Sequence, residues 1–235
     1  YHNIFEETDA EFMWLSGITI CDGMAADFAE CKEHIVPAHP FSDDIISVSR
    51  KLAERFCCDT EHIHQVEIAA LKLFDALRKA NHLTKKDRLL LQIAAILHNC
   101  GSFLNLNDIG ENSYKIVTST EIIGLSHQER MIVAYVIRYT TGDFPEYSEI
   151  KNEFSREEYI KIAKLNAILC LADAMDRSHQ QKFTNFTVRK RGYDLTITGQ
   201  TLYDITLEHG MFIQKSPFFE EAFGIRPVLR QKKCL

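Results

Sequence analysis

The chain has 235 residues, 46% of them hydrophobic and 26% charged, with a formal net charge of −6. This length suits one large or two small globular domains, and the acidic balance argues against a nucleic-acid-binding protein because the whole chain does not attract polyanions. No run of residues approaches the roughly 20 apolar residues of a membrane span, so no membrane association is expected.

The seven cysteines have no C-x-x-C spacing, and two of them, Cys57 and Cys58, are adjacent. Without a disulfide framework or a secretory signal, this pattern predicts free thiols in a reducing, cytoplasmic compartment. The chain begins at Tyr1 and not at a methionine. We therefore expect a piece of a longer protein.

Residues 1–40 are interpreted as a joining segment. The stretch Asp22–Cys31 predicts a short helix, and Pro37 and Pro40 follow it and stop it by fixing the backbone.

The stretch 41–182 has the pattern of long helices. Three positions pair a hydroxyl residue with a carboxylate three residues later, which is the pattern of a capping box at a helix start. They are Thr84-x-x-Asp87, Ser126-x-x-Glu129 and Ser155-x-x-Glu158, the last opening a helix that is expected to run to about Arg177. Apolar residues three or four apart add two earlier helices, on Ile45, Val48, Leu52 and Phe56 and on Ile63, Val66, Leu73 and Leu77. The prediction is a mainly α domain over 41–182.

The apolar period changes to two near residue 183, which predicts strands. A helix is expected over Gln214–Phe223 with Gly224 as its stop, followed by an edge strand because Pro227 cannot donate a ladder hydrogen bond. We therefore predict a small α+β domain over 183–235. Its first three strands are expected around Phe183, Phe186 and Val188, around Tyr193, Leu195 and Ile197, and around Tyr203, Ile205 and Leu207.

The pair His98-Asn99 ends the apolar run Leu89–Leu97 and points to chemistry. A His-Asp pair at the end of a buried helix is the centre of an HD metal site, in which two histidines and two carboxylates hold divalent ions that activate water for phosphoester hydrolysis. His62 and Asp173 have the order and spacing of the outer ligands. Asn99 stands where the central carboxylate would be and carries no negative charge, so we predict a vestigial site of His62, His98, Asn99 and Asp173. The alternative is two core histidines that Asp173 holds in orientation by a hydrogen bond.

Longer segments resemble the C-terminal half of the exopolyphosphatase/guanosine pentaphosphate phosphohydrolase family. The likeness spans nearly the whole chain, since residues 11–31 resemble the joint after the catalytic part, residues 203–223 resemble the closing α+β element, and Ser113 and residues 118–126 also match. Four segments between these ends carry most of it. They are His62-x-x-Gln65-Val66 with Leu73-Phe74-Asp75, Ala94-Ala95-Ile96-Leu97-His98-Asn99-Cys100-Gly101, Val136-Ile137-Arg138-Tyr139, and Leu171-Ala172-Asp173-Ala174-Met175-Asp176-Arg177-Ser178-His179. The resemblance implies an HD-like helical bundle and a closing α+β element.

The resemblance also implies a partner half and a role. In this family an actin-like N-terminal half hydrolyses the terminal phosphate of polyphosphate or guanosine pentaphosphate with a divalent metal, magnesium or manganese. The C-terminal half helps to form a homodimer and the path of the polyphosphate chain. We expect the missing catalytic half to precede residue 1, and we expect no cofactor in this chain itself.

Two departures from the family pattern weaken the site. Where the family often has two His, Lys, His and Ser after the central pair, this chain has Ile109-Gly110-Glu111-Asn112-Ser113. Thr140 stands where a histidine commonly follows Arg138-Tyr139. These changes remove candidate ligands and a phosphate-binding charge, and Glu111 would repel a phosphate. We therefore predict neither a bound metal nor catalysis by this chain.

Several basic residues are candidates for phosphate contacts, with ordinary ion pairs and a solvated strand face as the alternatives. They are Arg138, Arg177, Lys182, Arg189, Lys190 and Arg191. Cys100 lies beside the His-Asn pair but is interpreted as a packing residue and not as a nucleophile.

Three function classes stay open at this point. The first is a regulatory and dimerisation half without its own catalysis. The second is an independent metal-dependent HD phosphohydrolase, which Asn99 disfavours. The third is a purely structural scaffold.

Overall fold

The computed structural model describes residues 19–31, 40–78, 81–183 and 185–232, together with Phe12 and Gly17. The chain forms two compact units, Tyr1–Pro40 and Phe41–Leu235. The first unit contains helix α1 (Ile20–Cys31), which begins two residues before the predicted start. Thr19 Oγ1 accepts from the backbone N–H of Asp22 over 3.3 Å, and Asp22 Oδ2 accepts from the backbone N–H of Thr19 over 2.8 Å, so this pair caps α1. The predicted stop at Pro37 lies outside the described residues.

The second unit is mainly α with a small C-terminal α+β part, as predicted. None of the helices in the described ranges is long and apolar enough to cross a membrane. The helices of this unit are α2 (Phe41–Arg55), α3 (Thr60–Leu77), α4 (Lys85–Leu97), a 3-10 helix (Cys100–Phe103), α5 (Ile109–Ser119), α6 (His127–Arg138), α7 (Tyr147–Ile150), α8 (Arg156–Ala174) and α9 (Thr206–Phe223).

The helix starts follow the predicted capping boxes. Thr84, Ser126 and Ser155 each accept a hydrogen bond from the backbone three residues later, and the paired carboxylates return the bond. Helix α8 ends at Ala174, three residues before the predicted end near Arg177. The carboxylate of Asp176 accepts a hydrogen bond from Gln181 N over 2.7 Å, which stabilises a turn where a longer helix was expected.

The core lies around α8, which contacts α3, α4, α6 and α9. Residues 165–172 of α8 are all buried, which is typical of a helix surrounded by others. Its neighbours contribute large side chains that solvent does not reach, among them Leu73, Phe74, Leu91, Ile93 and Val133. This packing fixes the C-terminal ends of α4 and α8 close to the N-terminal end of α3.

The three strands are β1 (Asn185–Arg191), β2 (Asp194–Gln200) and β3 (Arg226–Lys232), in the order β1-β2-β3. The pair β1–β2 is an antiparallel hairpin closed at Gly192, whose φ is 57°. β2 and β3 are parallel and are connected through α9. The proline-containing strand β3 lies at the edge, as predicted. The domain boundary between residues 182 and 183 stays a prediction.

The strand predicted around Tyr203, Ile205 and Leu207 is wrong, because α9 begins at Thr206 and not at Gln214. Asp204 Oδ1 accepts hydrogen bonds from the backbone N–H of Thr206 over 3.0 Å and from its hydroxyl over 2.6 Å. This local turn begins a helix despite the alternating apolar residues. The predicted stop is confirmed, since Gly224 has a φ of 64° and donates to Glu220 O over 2.7 Å.

Candidate functional site

The fold brings three of the predicted site residues together. His62 lies in the first turn of α3, His98 directly follows α4, and Asp173 lies in the last turn of α8. The Nε2 atoms of the two histidines are 3.2 Å apart. Asp173 Oδ1 lies 3.3 Å from Nε2 of His62 and 3.6 Å from Nε2 of His98. Three ligand atoms therefore converge at one point.

The other ring nitrogen of each histidine has an acceptor as its partner. His62 Nδ1 lies 2.9 Å from Asp176 Oδ2, and His98 Nδ1 lies 2.7 Å from the backbone oxygen of Ala95. A carboxylate and a carbonyl only accept, so both Nδ1 atoms carry the proton. The Nε2 lone pairs then face inward, as in metal sites where an outer acceptor orients a ligand histidine.

The separations between these three atoms are close to those found between ligands of one divalent ion. Ligand atoms about 2.0–2.1 Å from one ion lie about 2.8–3.4 Å from each other when they are adjacent in octahedral or tetrahedral geometry. Two of the observed separations, 3.2 and 3.3 Å, lie within this range, and the third, 3.6 Å between His98 Nε2 and Asp173 Oδ1, is slightly longer. Among the residues that the structure describes, His62, His98 and Asp173 are the group of His, Cys, Asp and Glu side chains arranged for a metal.

The electrostatics of the cluster favour a protonated His62 in the absence of metal. Burial opposes the charge on His62, but hydrogen bonds with Asp173 and Asp176, and the charges of both, outweigh it and raise the pKa of His62 to about 9. Burial also opposes the charge on Asp173, but its contacts with the imidazoles of His62 and His98 hold the pKa of that carboxyl well below its usual range.

Three further residues surround the cluster and were not predicted as site residues. The ring of His179 stacks on that of His62, with centroids 3.6 Å apart, and His179 Nδ1 lies 3.0 Å from Asp59 Oδ2. Asp176 is the third. Its position three residues after Asp173, on the same side of the helix end, was the one sequence feature that could have indicated its place beside His62. Asp59 and His179 are 120 positions apart, and no local pattern links them.

Asn99 is half-buried and precedes the 3-10 helix, to which its side chain gives no capping hydrogen bond. Ser113, a residue of α5, stabilises the turn between α4 and the 3-10 helix. Its hydroxyl donates to His98 O over 2.9 Å and accepts from Gly101 N over 2.8 Å. These two hydrogen bonds fix the backbone on both sides of Asn99, next to His98.

Three of the six candidate phosphate-binding residues are already in ion pairs. Arg138 Nε lies 2.7 Å from Glu111 Oε2, and Lys182 Nζ lies 3.1 Å from Glu208, a fully buried carboxylate. Arg177 Nη1 lies 3.7 Å from Asp173 Oδ2 and so adds a positive charge beside the histidine cluster.

The other three candidates lie on the sheet, but on different faces. The inner face packs on the core through Phe186, Leu195 and Leu229. Arg189 and Arg191 lie on the opposite, outer face, whereas Lys190 lies on the inner side beyond the core. The strand register extends the outer face to Arg226, Arg230 and Lys232. Its one carboxylate in the described strands, Asp194, is paired with Arg226 over 2.9 Å.

The family model for Ppx/GppA phosphatase, domain III, matches residues 46–215. This range includes the whole histidine cluster, β1 and β2, and more than half of α9. No curated protein matches the chain.

Proposed function

Because the chain belongs to the Ppx/GppA phosphatase family, through its domain III, we propose that it is the C-terminal regulatory and dimerisation half of an exopolyphosphatase/guanosine pentaphosphate phosphatase-like protein. In this proposal its histidine cluster is a degenerate HD site without catalysis of its own. The observation that carries the proposal is the donor set, two imidazoles and a single carboxylate beside Asn99.

The charge of the donor set supports a weak metal site. One carboxylate leaves a divalent ion with an uncompensated positive charge in a buried place, and Arg177 lies close to that same carboxylate. If a divalent ion were bound by His62, His98 and Asp173, it would supply Lewis acidity and an activated water. Asp176 and the Ala95 carbonyl would orient the two rings.

The segment Ile109–Ser113 supports the loss of ligands. A Cβ atom at Gly110 would lie 2.3 Å from the backbone oxygen of Arg138, so α5 and α6 leave no room for a side chain there. The carboxylate of Glu111 pairs with Arg138 and with Lys115. Helix α5, which often supplies histidines in the family, is here packed closely against α6.

The outer sheet face supports a role in holding a phosphate chain. It carries five basic residues against one carboxylate, although the whole chain is acidic. Between them lie hydrogen-bonding side chains, with Thr187 opposite Thr198 and Asn185 opposite Gln200. Arginines in such a setting bind phosphate oxygens through paired N–H groups.

The activity experiment measures phosphate release from polyphosphate and from guanosine pentaphosphate, with magnesium or manganese present. We expect no turnover by this chain alone. Robust turnover that His98→Ala abolishes would overturn the proposal and establish the second candidate, an independent metal-dependent phosphohydrolase. That candidate is favoured by the convergence of the three ligand atoms.

The binding experiment measures the affinity for polyphosphate by calorimetry. Arg189→Gln with Arg191→Gln is expected to weaken binding on the order of tenfold, since each exposed charge contributes up to about 1 kcal/mol. Lys151→Gln with Arg156→Gln removes the same charge elsewhere on the surface and should leave the affinity nearly unchanged. Equal losses in both double variants would count against a site on the outer sheet face.

The dimerisation part of the proposal follows from the family's habit. Light scattering across a concentration series should give a mass twice the 27.1 kDa of the chain. A strict monomer at high concentration would remove dimerisation from the proposal. If polyphosphate binding were absent as well, the purely structural scaffold would be the better description.

A further inference from the structure

A cavity of about 370 Å³ lies between α8, α9 and the loop that connects α6 to α7. Its walls are aromatic. The ring centroid of Phe144 lies 5.6 Å from that of Tyr159 and 5.1 Å from that of Phe218. All three side chains are partly exposed, so the cavity gives a ligand access to ring surface that a closed core would not.

The lining of this cavity is acidic. It includes Asp143, Glu146 and Glu221, against one basic residue, Lys215. In the described ranges, the side-chain carboxylates of Asp143 and Glu221 have neither a hydrogen bond nor an ion pair. Burial raises the pKa of the Tyr159 hydroxyl, and the nearby charges of Glu221 and Glu146 raise it further. The aromatic walls therefore lie in a negative potential.

The floor of the cavity has more hydrogen-bond acceptors than donors. Asn166 is 1% exposed, and its Nδ2 donates to Val136 O over 2.7 Å. Its Oδ1 has the weak thiol donor of Cys170 as its partner, at 3.6 Å. The same thiol lies 3.8 Å from the carbonyl oxygen of Tyr139 and can serve only one acceptor at a time. A ligand with N–H groups would donate to the acceptor oxygen that the thiol leaves without a hydrogen bond.

We propose that this cavity binds a small organic ammonium ion with an apolar body. A cation over the faces of Phe144, Tyr159 and Phe218 is attracted by the ring electrons, and most strongly where water is partly excluded. Unpaired carboxylates at the same cavity add attraction between opposite charges.

The space for the apolar body lies next to the aromatic walls. A neighbouring hollow of about 190 Å³ shares Tyr159, Phe218 and Glu221 with the cavity. Its remaining lining includes Ile160, Ala163 and Ala222, which offer no charge. The two spaces together match a ligand that is charged at one end and apolar at the other.

Replacing Lys215 is the strongest test of whether the ligand is a cation or an anion. Its ammonium donates to Thr140 O over 2.8 Å and is held at the floor. Three carboxylates and one ammonium give the lining a net charge of −2. A cation is therefore attracted overall but repelled by Lys215, whereas an anion would need Lys215. Replacing this lysine separates the two cases.

This site goes beyond the proposed function, since the cavity lining includes none of His62, His98 and Asp173. Binding there can be measured whether or not the histidine cluster holds a metal. The probes are 2-phenylethylammonium chloride and sodium 3-phenylpropionate, which have similar bodies and opposite charges. Calorimetry on the full chain at constant ionic strength measures both.

We expect saturable 1:1 binding of phenylethylammonium and none of phenylpropionate. Glu221→Gln should weaken binding about two- to fivefold, and Phe144→Ala by a similar factor or more. Lys215→Met should strengthen it. Glu220→Gln is the matched control, because it removes the same charge from the next position of α9 outside the lining and should leave the affinity unchanged.

Several results would overturn the proposal. One is no saturable binding of phenylethylammonium by about 10 mM, at the weak limit of specific recognition. Another is preference for phenylpropionate, with binding lost in Lys215→Met. A third is equal weakening by Glu220→Gln and Glu221→Gln, which would indicate attraction to the whole acidic chain. Circular dichroism melting of each variant separates lost binding from lost fold.

Discussion

The Nε2 atoms of His62 and His98 face each other across 3.2 Å, and in neutral rings neither carries a proton, because each Nδ1 donates to an outer acceptor. Two facing lone pairs repel. Asp173 Oδ1 lies 3.3 Å from Nε2 of His62 and adds a negative charge. A positive charge between the two rings would therefore stabilise the cluster. A proton on His62 or a metal ion would supply it, and the two compete for the same atoms.

Metal affinity should depend on the residue after His98. Asn99→Asp is expected to tighten Mn²⁺ binding by about tenfold or more, since a second carboxylate offsets the charge of the ion. Calorimetry with Mn²⁺ measures the change. The matched control is Asn107→Asp, which makes the same substitution at an exposed position. Tight stoichiometric binding by the unaltered chain would contradict the proposal of a degenerate site.

Stability should fall with rising pH because of His62. Its pKa is about 9 in the folded state against an ordinary value of 6.5. A group with a raised pKa contributes its full stability below the unfolded value and loses it as pH rises through the folded value. Asp173 stays ionised throughout this window. The free energy of unfolding, measured with chelator present, should therefore decrease between about pH 6.5 and 9.

Two variants isolate this contribution. His62→Gln should flatten the decrease, because a glutamine cannot gain the charge. His64→Gln alters an exposed histidine of the same helix and should keep the slope of the unaltered chain. If the two variants gave the same pH profile, His62 would not be the group responsible.

The adjacent cysteines should differ sharply in reactivity. Burial is the main cause that raises the pKa of Cys58 to about 12 and that of Cys100 to about 11, so neither forms thiolate at neutral pH. Cys57 is exposed. Brief treatment with iodoacetamide, followed by peptide mapping, should label Cys57 and leave the other two thiols intact until the chain is unfolded. Fast labelling of Cys100 would revive a chemical role for the thiol beside Asn99.

The parts of this fold that follow from sequence are those set by local chemistry. The capping boxes at Thr84, Ser126 and Ser155 place α4, α6 and α8, because each needs only two side chains three residues apart. The α9 start was missed because the Asp204 turn outweighs an alternating apolar pattern.

The candidate site likewise has a part that the sequence predicts and a part that it does not. His62, His98 and Asp173 have recognisable positions at helix ends, so their meeting could be anticipated. The stacking of His179 on His62 could not, because it depends on a turn after α8 that Asp176 stabilises through Gln181. Contacts between distant segments carry no periodic signal, and they decide what surrounds a site.

The sheet should depend on one glycine. A Cβ atom at Gly199 would lie 2.1 Å from Cδ1 of Phe183, whose ring is fully buried and would have to shift within the core. Phe183 also receives a hydrogen bond on its backbone oxygen from Gln65 over 2.6 Å, which ties it to α3. Gly199→Ala is therefore expected to destabilise the chain by about 2 kcal/mol or more through overpacking.

Gly210→Ala is the matched control. It lies at an exposed position of α9, with nothing within 4 Å of the added atom. It should stabilise the chain by up to about 1 kcal/mol because alanine favours the helix. Denaturant unfolding measures both, and a neutral Gly199→Ala would mean that the Phe183 ring yields without cost.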